Sequence, residues 1–274
     1  MIRKRKSRRR LSRRTLLQKP RIRRLSNHPN PLVSIIIPAM NERATLPAVL
    51  YQASQVHPCS EIIVVANGST DGTAELAAKW GARVISFTEP LGHDVGRRFG
   101  AEISKGEVLL FIDGDMVIPA KELRPFVNTI ISGVDVALNG YSGPVEKQKT
   151  HPVVLAKHVL NVFLSRSNLK GASMTAVPHA LSRRGFEIIG SKALEIPPLA
   201  YAMAVSRGLN VQVVHTVPVG KLNPVRQRVG KGKQDPLATL VAGDHLEALH
   251  WLVKEHGQRG GFGDLGRKRD RVRG

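Results

Sequence analysis

Four short apolar runs in the first 112 residues constrain the fold of this chain more than any other feature. They read LVSIII, EIIVV, RVISF and EVLLFI, at residues 32–37, 61–65, 83–87 and 107–112. Such runs, rich in Val and Ile and too short for most helices, predict buried strands. Because helix-length segments separate them, they indicate βαβ units and therefore an α/β fold with a mostly parallel sheet.

Helical patterns fill the segments between these strands. We expect helices near residues 46–55, 74–80 and 93–104; Pro47 suits a first turn, and Gly81 suits a helix end. The second half is less regular. It predicts helices at 121–131, 152–164, 183–190, 197–207 and 236–256, a strand at 210–219, and a strand at 135–143 that leaves the core.

The net charge of +21 is concentrated in the two ends of the chain. Residues 1–27 hold 13 Lys and Arg and no acid, and residues 258–274 carry a net charge of +4, which leaves +4 for residues 28–257. We therefore expect disordered basic tails at 1–30 and 258–274. Between them we expect one domain at 31–235 and a C-terminal helix at 236–257 that packs on it.

The basic tails have three candidate partners: anionic lipid, RNA or an acidic polymer. Residues 1–27 contain no aromatic side chain on which a base could stack, so specific nucleic-acid binding is the disfavoured option. The favoured partner of this segment is an anionic membrane surface.

The single cysteine, Cys59, excludes an internal disulfide and is typical of a reducing compartment. The sequence has no apolar run of about 18 residues, and its basic N-terminus is not followed by the apolar segment of a secretory signal. We therefore expect a cytoplasmic protein, held at most peripherally at the inner face of the membrane.

Polar clusters follow three of the predicted strands. Asn41 and Glu42 follow the first, residues 67–71 follow the second, and Asp113 and Asp115 follow the fourth. Parallel sheets bind ligands beyond the carboxyl ends of their strands. We therefore expect these clusters to converge on one crevice.

The triplet Asp113-Gly114-Asp115 is the best candidate for a metal site. Carboxylates at positions i and i+2 of an extended segment point to the same side and repel each other. A divalent cation removes this conflict, and Mg²⁺ or Mn²⁺ accepts one or two carboxylates together with phosphate oxygens. A polar turn is the alternative explanation of the triplet.

Four motifs in order, PAMNE, NGSTDGT, GRRFGAEISKG and DGD, make the chain resemble the family 2 glycosyltransferases. The match is strong over residues 32–120 and loose over 121–225. The resemblance implies a GT-A fold, which is Rossmann-like, and transfer of a sugar from a nucleotide diphosphate-sugar, most often UDP-sugar, with inversion. It also implies a role in cell-envelope or polysaccharide biosynthesis, with a glycan, lipid or small-molecule acceptor that the sequence does not identify.

The resemblance also implies roles for individual residues. Asp115 would hold the metal directly, and Asp113 would contact the ribose or reach the metal through water, while Arg97 would reach the diphosphate. The nucleotide-sugar would be bound by Pro38, Ala39, Asn41, Glu42, Asn67, Asp71, Gly92, Arg97, Asp113 and Gly114.

The catalytic base is where the sequence departs from the family. Many members carry a Glu-Asp pair late in the domain, whereas the comparable segment here, SKALEIPPLAYAMAV, offers only Glu195. We predict Glu195 as the base, with a loop glutamate as the alternative. The resemblance also implies a late histidine as a further metal ligand; His215, after an apolar strand, is the candidate, with a structural histidine as the alternative.

Two other functions stay open on the sequence alone. A sugar-nucleotide-binding protein of the same fold without transferase activity would explain the missing Glu-Asp pair. A nucleic-acid binder that acts through its tails would explain the charge but not the three polar loops, so it ranks last.

Overall fold

A computed structural model describes residues 25–143, 150–222 and 235–268 of the 274-residue chain. Most of the basic N-terminal segment and the last six residues, for which tails were predicted, lie outside the described residues.

The described chain alternates strands and helices, with short 3-10 turns at Ser167–Leu169 and Ser191–Glu195. The seven strands are β1 (Val33–Ala39), β2 (Ser60–Asn67), β3 (Arg83–Phe87), β4 (Val108–Phe111), β5 (Val136–Asn139), β6 (His179–Ser182) and β7 (Val211–His215). The helices are α1 (Leu46–Ser54), α2 (Thr73–Trp80), α3 (Val95–Ile103), α4 (Ala120–Ile131), α5 (Pro152–Phe163), α6 (Arg183–Ile189), α7 (Pro197–Ser206), α8 (Val219–Leu222) and α9 (Pro236–His256).

The strands form one sheet in the order β3-β2-β1-β4-β6-β5-β7. Strand β6 runs antiparallel to both of its neighbours, and the other pairings are parallel. The carboxyl ends of β1, β2, β4 and β5 therefore lie at the same edge of the sheet. The predicted α/β fold with a mostly parallel sheet is confirmed.

Helices cover both faces of the sheet, which explains why its strands are apolar along their whole length. In β1, Ile35 and Ile37 pack in one core cluster with α1 and α4, whereas Ile36 packs in the other cluster with α3 and α7. Successive side chains of a strand point to opposite faces, so a sheet buried on both sides needs continuous apolar runs.

The C-terminal helix α9 packs on α5 and α7, as expected of a helix that belongs to the domain. Its buried side includes Ala248 and Leu252, and the carboxylate of Asp235 caps it by accepting a hydrogen bond from the Leu237 N–H at 3.0 Å. The sequence predicted the bounds of this helix correctly.

Two predictions for the second half need correction. The segment at 135–143 does not leave the core, because β5 is fully buried between β6 and β7. Its polar residue Asn139 is buried because its amide donates to the carbonyls of Val177 and Val217, at 2.8 and 3.1 Å. Strand β6, which the sequence analysis missed, fills the position between β4 and β5.

The start of the basic C-terminal tail is ordered, which differs from the expectation. The chain turns after α9, with hydrogen bonds from Gly260 N–H to the Gly257 carbonyl and from Gly261 N–H to the His256 carbonyl. Phe262 then packs edge-to-face on Phe163 of α5, with 6.1 Å between ring centroids.

Among the helices of the described residues, none combines the length and the apolar character needed to cross a bilayer.

Candidate active site

A cavity of about 290 Å³ opens at the carboxyl edge of the sheet, where the loops after β1, β2 and β4 meet. Most of the predicted nucleotide and metal residues line it. The lining residues are Pro38, Ala39, Met40, Glu42, Asn67, Pro90, Gly92, His93, Asp94, Gly96, Arg97, Asp113, Gly114 and Asp115. We call this space the donor cavity, after the ligand that the sequence predicts for these residues.

Asn41 and Asp71, also predicted to bind nucleotide, are not among these lining residues. Instead they cross-link the loops after β1 and β2. Asn41, with a φ of 57°, accepts a hydrogen bond from the Thr70 N–H at 2.8 Å, and Asp71 accepts one from the Arg43 N–H at 3.1 Å. The hydrogen bond from the Thr73 hydroxyl is the main reason that the pKa of Asp71 lies below its ordinary value.

Asn67, at the end of β2, fixes the far wall of the donor cavity. Its side-chain amide donates to the Gly92 carbonyl at 2.9 Å, and its side-chain oxygen accepts from the Leu91 N–H at 2.6 Å. Gly92 has a φ of 101°, a conformation that favours glycine. Asn67 therefore positions the segment that leads into α3.

Arg97, on the first turn of α3, connects this segment to the predicted metal site. Its side chain is 5% exposed, and its Nη2 lies 3.0 Å from Asp94 Oδ1 and 3.3 Å from Asp113 Oδ1. Burial alone would lower the pKa of Arg97, but the two carboxylates outweigh it and raise this pKa above its ordinary value. The guanidinium is therefore a fixed positive charge beside Asp113.

Gly114 lets the aspartate turn approach β1 closely. A Cβ at this position would lie 3.0 Å from the Cβ of Ala39 and 3.2 Å from the Pro38 carbonyl oxygen. The Gly114 N–H donates to that same carbonyl at 3.1 Å. The turn that carries Asp113 and Asp115 is therefore held against the strand that supplies the opposite wall of the donor cavity.

His215 is not brought together with the two aspartates. At the end of β7, its Nε2 lies 2.6 Å from Glu122 Oε2 of α4, a hydrogen bond that lowers the pKa of Glu122. Across the described ranges, no three His, Cys, Asp or Glu side chains form a group that could hold a metal ion by itself. The predicted set of Asp113, Asp115 and His215 is therefore not assembled.

Glu195 ends the 3-10 turn Ser191–Glu195, which packs against α3. Its carboxylate accepts a hydrogen bond from Arg98 Nη1 at 2.9 Å, and Arg98 also binds Glu102 at 2.8 Å. Glu195 does not line the donor cavity. Its role as base stays a prediction, and the structure shows it paired with a cation.

The sequence analysis did not single out His93 and Asp94, which also line the donor cavity. Asp94 precedes α3 with a φ of 64°, and its buried side chain pairs with Arg97. The signal available in the sequence was an acidic residue three positions before an arginine at a helix start, the spacing of an ion pair within one turn.

Solved structures share this fold over most of the chain. The glucosyl-3-phosphoglycerate synthase of Mycobacterium tuberculosis, in complex with Mn²⁺, UDP and glucosyl-3-phosphoglycerate, aligns with a TM-score of 0.57 at 21% identity, covering 86% of this chain and 82% of that one. The mannosyl-3-phosphoglycerate synthase of Rubrobacter xylanophilus aligns with a TM-score of 0.60 at 19% identity, covering 87% and 78%. At these identities the likeness shows the fold alone.

Curated relatives are similar in sequence over a shorter stretch. An undecaprenyl-phosphate 4-deoxy-4-formamido-L-arabinose transferase of Aeromonas hydrophila is 31% identical over 122 residues, 41% of this chain and 37% of that protein. The glycosyltransferase AglE of Haloferax volcanii is 38% identical over 118 residues, 40% of this chain and 38% of that protein. The chain thus matches less than two fifths of the length of these relatives.

The sheet order and the likeness to solved structures together define the fold class as GT-A, with a carboxylate-lined cavity at the carboxyl edge of the sheet. Within that class, the model of glycosyl transferase family 2 matches residues 34–184, more than half of the chain. The chain therefore belongs to glycosyl transferase family 2.

Proposed function

We propose that the protein is an inverting glycosyltransferase that moves a sugar from a nucleotide diphosphate-sugar to an acceptor hydroxyl. The donor that we expect is a UDP-sugar. The observation that carries this proposal is the donor cavity, which the carboxylates of Asp113 and Asp115 and the buried Arg97 line together. Family membership supports the transferase chemistry. The Mn²⁺ and UDP in the M. tuberculosis structure support the metal and the nucleotide.

Arg97 is the residue that would receive the diphosphate. Its Nη2 is held by Asp94 and Asp113, whereas its Nη1 is buried and has no hydrogen-bond partner among the described residues. A buried donor without an acceptor is costly, and a phosphate oxygen is a strong acceptor for a guanidinium. The unpartnered Nη1 therefore fits an anionic ligand in the donor cavity.

Asp113 and Asp115 would hold Mg²⁺ or Mn²⁺. Both line the donor cavity, and carboxylate oxygens are the donors that these ions accept together with water and phosphate. A bound ion would neutralise the charge that develops on the departing diphosphate. Arg97 would add a fixed positive charge next to Asp113, in a site where preorganised charge stabilises the transition state most.

The loop after β1 would bind the nucleoside. Pro38, Ala39 and Glu42 line the donor cavity, and a carboxylate such as that of Glu42 readily accepts hydrogen bonds from ribose hydroxyls. Asn41 and Asp71 would act indirectly, since their hydrogen bonds tie this loop to the next one. Preorganisation of this kind lowers the entropy cost of binding.

The transfer itself would be a single displacement. The acceptor oxygen attacks the anomeric carbon from the face opposite the diphosphate, the bond to the diphosphate oxygen breaks, and a base takes the acceptor proton. Inversion at the anomeric carbon follows from this geometry. Glu195 is the base that we predict, provided that it leaves its pair with Arg98.

If Glu195 is the base, Glu195→Gln lowers kcat by about 100-fold or more, because general base catalysis contributes about that factor. The KM for the donor stays unchanged, because Glu195 does not line the donor cavity. Arg98→Gln is the matched control, since it removes the same ion pair but keeps the carboxylate. A kcat for Glu195→Gln within about threefold of that of the wild type would remove Glu195 from the mechanism.

A thermal-shift screen of nucleotide sugars, with and without Mn²⁺, tests the donor. A ligand at about 100 times its Kd stabilises the folded state by about 2.7 kcal/mol, which is a readily measured shift in Tm. We expect UDP-sugars to raise Tm more with Mn²⁺ than without it, and sugar phosphates that lack a nucleoside to have little effect. The proposal fails if no nucleotide or nucleotide sugar raises Tm under either condition.

A sugar-nucleotide-binding protein without transferase activity is the second candidate. The pairing of Glu195 with Arg98 favours it, because this carboxylate would have to leave the guanidinium before it could contact an acceptor hydroxyl. This candidate predicts the same thermal shifts but no release of nucleoside diphosphate from any donor and acceptor pair.

We further propose that the enzyme acts in the cytoplasm, peripherally at an anionic membrane surface that residues 1–27 contact. This rests on their 13 Lys and Arg, each of which contributes about 1 kcal/mol near such a surface. In a co-sedimentation assay with vesicles that contain phosphatidylserine, deletion of residues 1–24 should release the protein into the supernatant. Unchanged sedimentation after the deletion would refute this role.

A further inference from the structure

A second cavity, of about 420 Å³, lies beyond the carboxyl end of β5, where α5 and α9 both begin. Its walls are mostly apolar and include Val154, Leu237 and Val241, and its polar lining includes Tyr141 and Lys157. We call this space the Lys157 cavity. It is separate from the donor cavity and shares no lining residue with it.

Lys157, on α5, is a buried cation without a carboxylate partner in the described chain. Only 5% of the residue is exposed, its Nζ donates to the Tyr141 carbonyl at 3.0 Å, and no ion pair to it occurs within the described ranges. An ammonium group has three donors. Lysines this deeply buried are rare unless an anion pairs with them.

Among the described residues, the cavity lining holds one acid, Asp235, and it forms no ion pair with Lys157. Burial is the reason that its pKa falls to about 8, so it remains mostly protonated at pH 7. His245 of α9, close enough to feel its charge, is also buried. Asp235, the acid that lines this cavity, is engaged in capping α9 through the Leu237 N–H.

The topology brings the Lys157 cavity to the same edge of the sheet as the donor cavity. Strand β5 runs parallel to β4 and is separated from it only by β6, so the two carboxyl ends lie about 10 Å apart at ordinary strand spacing. Asn139, at the end of β5, accepts a hydrogen bond from the Tyr141 N–H at 3.1 Å and so fixes the backbone that Lys157 contacts.

We propose that the Lys157 cavity binds an anionic group of the acceptor, a phosphate or a carboxylate, and so places the acceptor hydroxyl towards the donor cavity. The claim that this anion belongs to the acceptor rests on the proposed function, whereas anion binding at Lys157 does not. The apolar walls of the Lys157 cavity also suit a phosphate or carboxylate that is attached to an apolar group. The shared chemistry is therefore an organic phosphate or carboxylate, supplied either by a small soluble molecule or by a lipid phosphate.

Calorimetric titration of the full-length chain tests this assignment. The probes are phosphoglyceric acid, for the soluble source, and dodecyl phosphate in detergent micelles, for the lipid source; glycerol and dodecanol are their uncharged counterparts. We expect at least one phosphate probe to bind and neither uncharged compound to do so. The probe that binds more tightly identifies the source of the anion.

Four variants locate the binding. Lys157→Met removes the charge at similar length and should weaken the binding of the phosphate probe by about tenfold or more, whereas Lys157→Arg should retain it. Lys254→Met is the matched control, because Lys254 is exposed on α9. Ala238→Phe, which narrows the Lys157 cavity without touching the cation, should also weaken binding and provides a second test if Lys157→Met does not fold.

The proposal is overturned if Lys157→Met or Ala238→Phe binds the phosphate probe as tightly as the wild type does, or if neither phosphate probe binds. Mn²⁺-dependent binding of UDP should be unchanged in Lys157→Met. Failure of the donor proposal would therefore show in the UDP titration, and failure of the anion site would show only in the phosphate titration.

Discussion

Replacing Asp115 with Asn is expected to lower the rate of sugar transfer by about 1,000-fold or more, because metal stabilisation of the leaving diphosphate supplies several kcal/mol of the barrier reduction. Asn has the same shape but lacks the charge that holds a divalent ion. The measurement is the rate of UDP release from a UDP-sugar at saturating Mn²⁺. The dependence of UDP binding on Mn²⁺ should be lost in the same variant.

Asp264→Asn is the matched control for this prediction. Asp264 lies in the turn after α9, where it pairs with Arg259 and Arg267, and it does not line the donor cavity. Its loss should leave the rate of transfer unchanged. If Asp115→Asn retains Mn²⁺-dependent turnover within about threefold of the wild type, Asp115 is not a metal ligand in the reaction.

Replacing Arg97 with Met is expected to destabilise the fold by about 3–5 kcal/mol, the usual cost of removing one member of a buried ion pair. The reason is that Asp94, whose side chain is 8% exposed, would remain buried without its cation, and Asp113 would lose its partner. Urea denaturation measures the effect as a lower midpoint at an unchanged m-value.

Arg98→Met is the neighbouring control. Arg98 also forms two ion pairs, with Glu102 and Glu195, but its side chain is 31% exposed, so its loss should cost only about 1 kcal/mol or less. Asp94→Asn combined with Arg97→Met should recover part of the stability, because the uncompensated charge is then removed. Equal midpoints for Arg97→Met and Arg98→Met would show that the buried pairs do not stabilise the fold.

The first half of the fold could be predicted from the sequence because its signals are local. A sheet buried on both faces requires continuous apolar strands, and Ile35, Ile36 and Ile37 satisfy both faces at once. Gly81 ends α2 with a φ of 95°, the left-handed conformation that glycine adopts most easily. Local chemistry of this kind can be read without knowledge of distant contacts.

The second half could not be predicted as well because its structure depends on distant partners. Strand β6 has only four residues, and it forms by pairing with β4 on one side and β5 on the other. Residues 135–143 were predicted to leave the core, yet Asn139 is buried because the carbonyls of Val177 and Val217, far along the chain, accept its hydrogen bonds. No local pattern carries this information.

The distinction between local signals and distant contacts also applies to the candidate site. The strand-end rule predicted that Asp113 and Asp115 would meet Glu42, and the family resemblance added Arg97; all four residues line one cavity. Glu195 and His215 were predicted from the family resemblance and their places along the chain, and the structure pairs them with Arg98 and Glu122. Pairings between residues so distant in the chain follow from the fold rather than from a motif.

The most direct test of the proposed function is the release of nucleoside diphosphate by the wild-type chain, measured over a panel of UDP-sugars with phosphate-bearing acceptors, with and without Mn²⁺. We expect UDP release that requires Mn²⁺, rises with the acceptor concentration and yields a product of inverted anomeric configuration. The contrary result is a protein that binds UDP with Mn²⁺ but releases none from any UDP-sugar. That result would make the chain a sugar-nucleotide-binding protein rather than a transferase.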